Sequence, residues 1–407
     1  MSSLAKYARG NFLSGIGVGS FAMVGRDPQP LPAIILDQKP RLFLAIEVGE
    51  WCQLACQHCI YRAVQPEKPA LAAPQVRVGE KIERFFETEN PTWVSFAGKE
   101  PTIFPEDLLR MAKIARAKSD LTILMTNGLR LQGELLGELE QNIGLFDISV
   151  DGSKYAHDWM RGEGTFDRTM ARIEDVLKRG RVPVGIIATA VHSELDGKRQ
   201  VQEIGRLGQY LRSRFGHNDN LSLSVSLYYD QPGHPMLLQE DDLVELVIKL
   251  GKSEMPSRIL WTANYAHQWP LVARRLGLTD KIHHDHQTAI PFMWSGNICH
   301  ILFNLTKSLL LGTRVSSRGN VYLGCNHLIL GEEAVRFRIA NLLSGDDDLA
   351  EVVARLTGGE EKFLRKVSFV DPRCEECSHF ERCRGGDSLS GVYFGGTPSD
   401  PYCPLLQ

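Results

Sequence analysis

The chain has 407 residues, of which 43% are hydrophobic and 23% charged, with a formal net charge of −3. Its length fits one large domain with a smaller one beside it. The near-neutral charge gives no electrostatic case for nucleic acid or a membrane surface, and no apolar run is long enough to span a bilayer, so neither partner is expected.

Residues 1–40 read as an N-terminal extension. A helical start, Ser3 to Arg9, gives way to Gly-rich and then Pro-rich sequence from Asp27 to Pro32. Gly and Ser interrupt the apolar residues between Phe12 and Val24, so no signal peptide is read and a cytoplasmic location is expected. Thiols stay reduced there, and the nine cysteines point to metal ligation rather than disulfides. Three lie between Cys52 and Cys59, none between Cys59 and Cys299, and six from Cys299 onward. Two cysteine-rich regions around a cysteine-free one predict two cluster-bearing units.

From Leu42 to about Gly251 a strand-then-helix pattern repeats six times. Apolar, β-rich runs occur at 42–48, 93–96, 121–125, 145–149, 182–191 and 221–229. Helical patterns follow near 78–89, 105–118, 132–143, 166–179, 197–215 and 240–251. Such alternation implies an α/β fold with a parallel sheet covered by helices. Right-handed crossovers curl the sheet, and six units predict a partial (β/α)6 TIM barrel over 41–255. In barrels of this class the chemistry lies at the C-terminal ends of the strands. An irregular bridging segment, 256–297, contains His283, His284 and His286, a run that could bind metal or simply lie on the surface. The remaining six cysteines fall in 298–407.

The first strand leads into Cys52-x3-Cys56-x2-Cys59. Three thiolates on one loop can hold three irons of a [4Fe–4S] cube, leaving the fourth iron open. A structural zinc site is the other reading of three such thiols.

This triplet is the signature of the radical S-adenosylmethionine (SAM) enzymes, and the chain resembles that superfamily. The resemblance implies that SAM chelates the open iron and that one electron cleaves it to a 5′-deoxyadenosyl radical, which takes hydrogen from a substrate carbon. Phe96-Ala97-Gly98-Lys99-Glu100-Pro101 resembles the superfamily's Gly-Gly-Glu-Pro motif, with Lys99 in place of the second glycine. By that resemblance Gly98 and Lys99 lie near the SAM amino group and Glu100 accepts from it.

Thr126-Asn127-Gly128 follows the third strand, and Ser149-Val150-Asp151-Gly152 the fourth, with Arg161 twelve residues after Ser149. This resembles the subgroup with a C-terminal SPASM domain, which includes peptide maturases and sulfatase-maturing enzymes. There the Ser and Arg bind the SAM carboxylate, which assigns that role to Ser149 and Arg161. Asn127 and Asp151 are placed to meet ribose hydroxyls or to order the loop. Tyr61 matches an aromatic near the adenine, and His58 stands where the family usually has an aromatic.

The later cysteines resemble the SPASM pattern, a twitch-like iron–sulfur domain. Carried over, Cys374, Cys377, Cys383 and Cys403 hold one auxiliary cluster, with a four-cysteine zinc site as the alternative. Cys299 and Cys325 belong to a second, where Asp387 stands in place of the last cysteine. Asp387 as ligand, replacement by His300 or His327, an open position and loss of this cluster are all compatible with the pattern. Asp230 and His234, after the sixth strand, are candidates for catalytic proton transfer. Asn326 replaces the Asp that acts as base in sulfatase-maturing enzymes, which counts against that reaction.

The expected activity is hydrogen abstraction that oxidises or cross-links a side chain of a ribosomal peptide. A separate small partner would deliver the peptide, because the extension is too short for the binding domain that related enzymes carry. An external flavodoxin- or ferredoxin-type donor would supply the electron. Two alternatives stand beside it: dehydrogenation or epimerisation of a small molecule such as an aminosugar or cyclitol, and SAM binding at an iron–sulfur protein without radical turnover.

Overall fold

The computed structural model of the chain describes residues 22–23, 41–61, 73–91, 93–228, 230–251, 257–260, 275, 310–323, 330–344 and 348–357, and the single positions 371, 373, 376, 391 and 395. Six strand–helix units run in chain order. They are β1 (Arg41–Glu47) and α1 (Ala73–Thr88), β2 (Trp93–Ala97) and α2 (Pro105–Lys118), β3 (Leu121–Thr126) and α3 (Gly133–Asn142). Next come β4 (Leu145–Ser149), α4 (Lys154–Arg161) and α5 (Thr165–Arg179), then β5 (Val184–Ala190) and α6 (Gln200–Phe215), and β6 (Leu221–Leu227) with α7 (Glu240–Gly251). The strands β7 (Ser257–Leu260), β8 (Leu310–Val315), β9 (Asn320–Leu323) and β10 (Ala340–Asn341) follow, and then α8 (Leu349–Thr357).

All six expected strands are present within three residues of their predicted ends, each parallel to the next. The partial barrel is therefore as expected. It is also wider than expected, because β7 pairs in parallel with β6, and β8 in parallel with β1. The spatial order is the two-residue strand Ala22–Met23, then β7, β6, β5, β4, β3, β2, β1, β8, β9 and β10. The segment 298–407 thus contributes β8, β9 and β10 to the edge of the barrel sheet beside β1.

Alternation along the strands separates two faces. Leu44, Ile46, Val94, Phe96, Leu124, Phe146, Ile148, Ile186, Leu223 and Val225 form the outer face and are almost fully buried. They join one core with Ile82, Phe85, Leu108, Ile204 and Leu243 of the helices. Each such side chain contributes roughly 1.5–3 kcal/mol on burial. The inner face is polar by comparison, bearing Ser95, Asp147, Ser149, Thr189, Ser222, Ser224 and Ser226. Helix α4 was not expected. Its strongly two-sided eight residues bury Ala156, His157 and Met160 and carry Arg161 at the C-terminal end.

Candidate functional site

The cysteine loop leaves β1 and is tied to the exits of two other strands and to α4. Trp51 O accepts from Glu100 N at 3.1 Å, and Gln53 Nε2 donates to Asn127 Oδ1 at 3.2 Å. Gln57 donates through its backbone to Met160 O at 2.9 Å and through its side chain to Trp159 O at 2.7 Å. Cys59 N closes the loop on Cys56 O at 3.2 Å. The two glutamines that anchor the loop carried no signal in the sequence, because glutamine fits almost any polar loop position.

Among the described residues no disulfide joins the three thiols; Cys56 is buried and Cys52 and Cys59 are half-buried. Burial pushes the Cys52 thiol up to about 12 and raises that of Cys56. Thiols so placed stay neutral until a metal draws out the thiolate. N–H groups already face the sulfurs: Leu54 N lies 3.4 Å from Cys52 Sγ, Asn127 Nδ2 3.8 Å from it, and Arg161 Nη1 4.0 Å from Cys56 Sγ. Among the described residues no three His, Cys, Asp or Glu side chains converge enough to hold a single metal ion. A cube spreads its thiolates over separate irons, and three thiols on one loop are a donor set that fits it.

Gly98 has φ +118°, a conformation that suits glycine, and Gly49 O lies 3.4 Å from where a Cβ would stand, so the backbone angle rather than crowding calls for glycine. Lys99 is half-buried. Burial lowers its pKa, while Glu50, Cys59, Cys52 and Glu47 pull the other way, which places its ammonium toward the cysteine loop.

Glu100 is turned inward. It is 1% exposed, and its Oε1 accepts from Thr102 N at 3.1 Å and Thr126 Oγ1 at 2.7 Å, while Oε2 accepts from Asn127 N at 2.9 Å. The sequence offers it to an amino group of SAM. In the fold it is a strut between the exits of β2 and β3. Burial raises its pKa, and these bonds offset only part of the rise. Asn127 likewise spends its amide on the protein, with Oδ1 accepting from Leu129 N at 3.1 Å as well as from Gln53. These contacts order the loop.

Asp151 does the same. It is 0% exposed, takes Arg161 Nε on Oδ2 at 2.5 Å, and accepts Thr189 N on Oδ1 at 2.8 Å. Both carboxylate oxygens thus have partners in the protein that order the loop. Burial would raise its pKa, but Arg161 and then His58 hold it at about 2. His58 is buried, with Nε2 3.4 Å from Arg161 Nη2 and 3.6 Å from Asp151 Oδ2. It stands within this charged cluster. His157 accepts from Asp151 N at 3.3 Å, and burial holds its pKa down at about 4, so it stays neutral. Gln200, fully buried and invisible to motif reading, donates to Asp151 O at 2.8 Å and Thr189 O at 3.0 Å. Ser149 stands half-buried at the exit of β4, on the inner face.

The β8–β9 hairpin grips the other side of the loop. Arg314 Nε donates to Glu47 Oε1 at 2.6 Å, its Nη2 donates to Tyr61 Oη, and its Cζ lies 5.9 Å from the Tyr61 ring centroid. Arg318 binds Glu50 with both nitrogens, at 2.7 and 2.9 Å, and Ser317 adds a bond at 2.9 Å. The Tyr61 hydroxyl thus faces the C-terminal segment.

After β6, Tyr228 Oη donates to Asp230 Oδ2 at 2.5 Å, and His234 Nε2 lies 3.7 Å from the same oxygen. Tyr228 packs with Met160, Val191 and Ile60, the residue after Cys59, so this cluster adjoins the cysteine loop. Cys299, Cys325, Cys374, Cys377, Cys383, Asp387 and Cys403 lie outside the described residues, as do His283, His284, His286, His300 and His327. No described helix is long and apolar enough to cross a membrane.

Residues 46–201 match the family model "Radical SAM superfamily". Mycofactocin maturase MftC of Mycolicibacterium smegmatis is 24% identical over 392 residues, covering 92% of this chain and 86% of the relative. Streptococcus suis SuiB bound to S-adenosylmethionine superposes with a TM-score of 0.61 at 16% identity, covering 90% of this chain and 78% of SuiB. SuiB is also solved bound to precursor peptide SuiA. Native anSMEcpe with bound AdoMet gives a TM-score of 0.57 at 17% identity, over 89% of this chain and 94% of that one.

Proposed function

We propose, from the premise that residues 46–201 are a radical SAM domain, that the chain is an enzyme removing hydrogen from a carbon of a peptide side chain and so oxidising or cross-linking it. The domain's cofactors, a [4Fe–4S] cluster and SAM, supply a 5′-deoxyadenosyl radical when bound. The observation that carries this reading is the cysteine loop itself. Three thiols sit at the exit of β1, locked to the exits of β2 and β3 and to α4, with a guanidinium beside Cys56.

Cys52, Cys56 and Cys59 would hold the cluster. Arg161, fixed by Asp151 through Nε, keeps Nη1 and Nη2 on the loop side, where a carboxylate of SAM suits a planar fork. Ser149 adds a hydroxyl at the same mouth, and Gly98 lets backbone come close. Lys99, His58 and Tyr61 border the loop and exclude water from it. Asp230 and His234 stand next to that mouth as the groups that move a proton. Cys374, Cys377, Cys383 and Cys403 would hold an auxiliary cluster, and Cys299, Cys325 and Asp387 a further one; such clusters would supply a site for the second electron. The peptide as substrate is supported by the maturase and SuiA-bound relatives, which align with most of the chain.

The test is anaerobic reconstitution followed by dithionite and SAM. Formation of 5′-deoxyadenosine, lost in Cys56→Ala, is expected, and its absence from the wild type overturns the reading in favour of binding alone. Iron should number about 12 per chain with both auxiliary sites filled or about 8 with one, falling by about 4 when Cys52, Cys56 and Cys59 are all alanine.

A further inference from the structure

The inner face of the sheet holds a carboxylate that the site above does not use. On β4, Phe146 and Ile148 are fully buried toward the helices, so Asp147 and Ser149 point into the barrel. Asp147 lies two residues below Ser149, roughly 6.6 Å deeper along the strand. Its register neighbours are Met125 on β3 and Gly185 on β5, and Gly185 is in turn opposite Ser222 on β6. Gly185 makes room for the acid, since a Cβ there would stand 2.4 Å from Asp147 Oδ1 and 3.7 Å from Ser222 Oγ. Met125 is 40% exposed although strands flank it on both sides, which shows that this face opens on a hollow. Asp147 is half-buried at the wall of this hollow; among the described residues it has no hydrogen bond or ion pair, and desolvation pushes its carboxyl up to about 7.

We propose that Asp147, with Ser222 beside it, recognises a cationic nitrogen of the substrate, a primary ammonium or a guanidinium, inside the barrel. The inference rests on the proposed function for the route by which a substrate reaches this depth. A carboxylate taken from water without a partner is costly, and a ligand cation is the partner that restores the balance. The Ser222 hydroxyl can accept a second N–H. Met125 offers a soft apolar wall to the alkyl stem such a group carries. A metal ion fits poorly, because no set of three ligating side chains gathers among the described residues.

The test uses the reconstituted full chain labelled with 13C at the methionine methyls, with the Met125 methyl as reporter. Its resonance is assigned by Met125→Leu. Titration with n-butylammonium and methylguanidinium should shift that resonance saturably, and n-butanol should not. Asp147→Asn should weaken cation binding at least tenfold while the other methyl resonances keep their positions. A Met125 shift that is the same for butanol and butylammonium overturns the inference, even if the variant cannot be folded, and so does an Asp147→Asn protein that binds as the wild type does. Formation of 5′-deoxyadenosine is measured in parallel. Its absence with cation binding intact removes only the proposed function, and its presence without cation binding removes only the Asp147 site.

Discussion

Arg161 donates to Asp151 Oδ2 at 2.5 Å through Nε while its Nη1 reaches 4.0 Å from Cys56 Sγ. One guanidinium therefore neutralises a fully buried carboxylate and faces the middle thiol of the loop. Arg161→Ala leaves the buried Asp151 without its guanidinium, with Thr189 N and His58 still beside it, and should cost about 3 kcal/mol, read by urea unfolding. The double variant Arg161→Met/Asp151→Asn should recover much of that stability without recovering SAM cleavage. Cleavage restored along with stability would show that the arginine acts only by holding the fold.

Two inward-facing aspartates, Asp151 buried and Asp147 half-buried, respond to pH in opposite directions. Asp151 is held at about 2, so its pair stabilises the fold above the usual Asp range, and that contribution is lost as pH falls toward 2. Asp147 is raised to about 7. As pH climbs from about 4, the unfolded chain ionises first, so stability declines until pH passes 7, by up to about 4 kcal/mol. Asp147→Asn should therefore raise Tm at pH 8 and leave it unchanged at pH 4. An equal shift at both values would contradict this.

Glu100→Gln should be damaging although it is nearly isosteric. The carboxylate only accepts, from Thr102, Thr126 and Asn127. An amide must turn its NH2 toward either the Asn127 N–H or the Thr126 and Thr102 donors, leaving at least one buried clash at a cost of roughly 1–3 kcal/mol. Thermal melts check the cost. Slower iron uptake on reconstitution would show that the strut also shapes the cysteine loop.

The two arginine–glutamate contacts from the hairpin should differ in weight. Glu47 and Arg314 are 8% and 7% exposed, whereas Glu50 and Arg318 are 24% and 64% exposed. Arg318→Ala is expected to change stability by less than about 1 kcal/mol. Arg314→Ala removes the 2.6 Å partner of a buried carboxylate and should cost about 3–5 kcal/mol. Comparable losses in the two variants would mean that the exposed pair is stronger than its setting implies.

The six barrel strands were legible because each is a short apolar, β-rich run followed by a helical pattern. The four residues of β7 and the six of β8 were not, since a short strand without its partner looks like loop, and parallel pairing across more than 200 residues leaves no local trace. Helix α4 was concealed by the motif it carries, with Arg161 legible as a residue type and its support not. The roles of Glu100, Asn127 and Asp151 were legible as strand-end polar groups. Whether each faces a ligand or the protein depends on burial, and that is decided by Thr102, Thr189 and Gln200, none of which stands out in the sequence. Asp147 was missed because an acid in a strand usually marks a solvent face, and only the packing of Phe146 and Ile148 reveals that it points inward.

The place of β8 beside β1 has a consequence for biosynthesis. The strand that ends in the cysteine loop emerges early from the ribosome, but its outer neighbour follows only after β7, and Arg314 lies 267 residues beyond Glu47. Contacts this distant in sequence form late. Until translation has passed residue 318, the loop lacks the partners of Glu47 and Glu50, and its three thiols are held from one side only. Cluster delivery should therefore be most productive on the finished chain, after translation rather than during it.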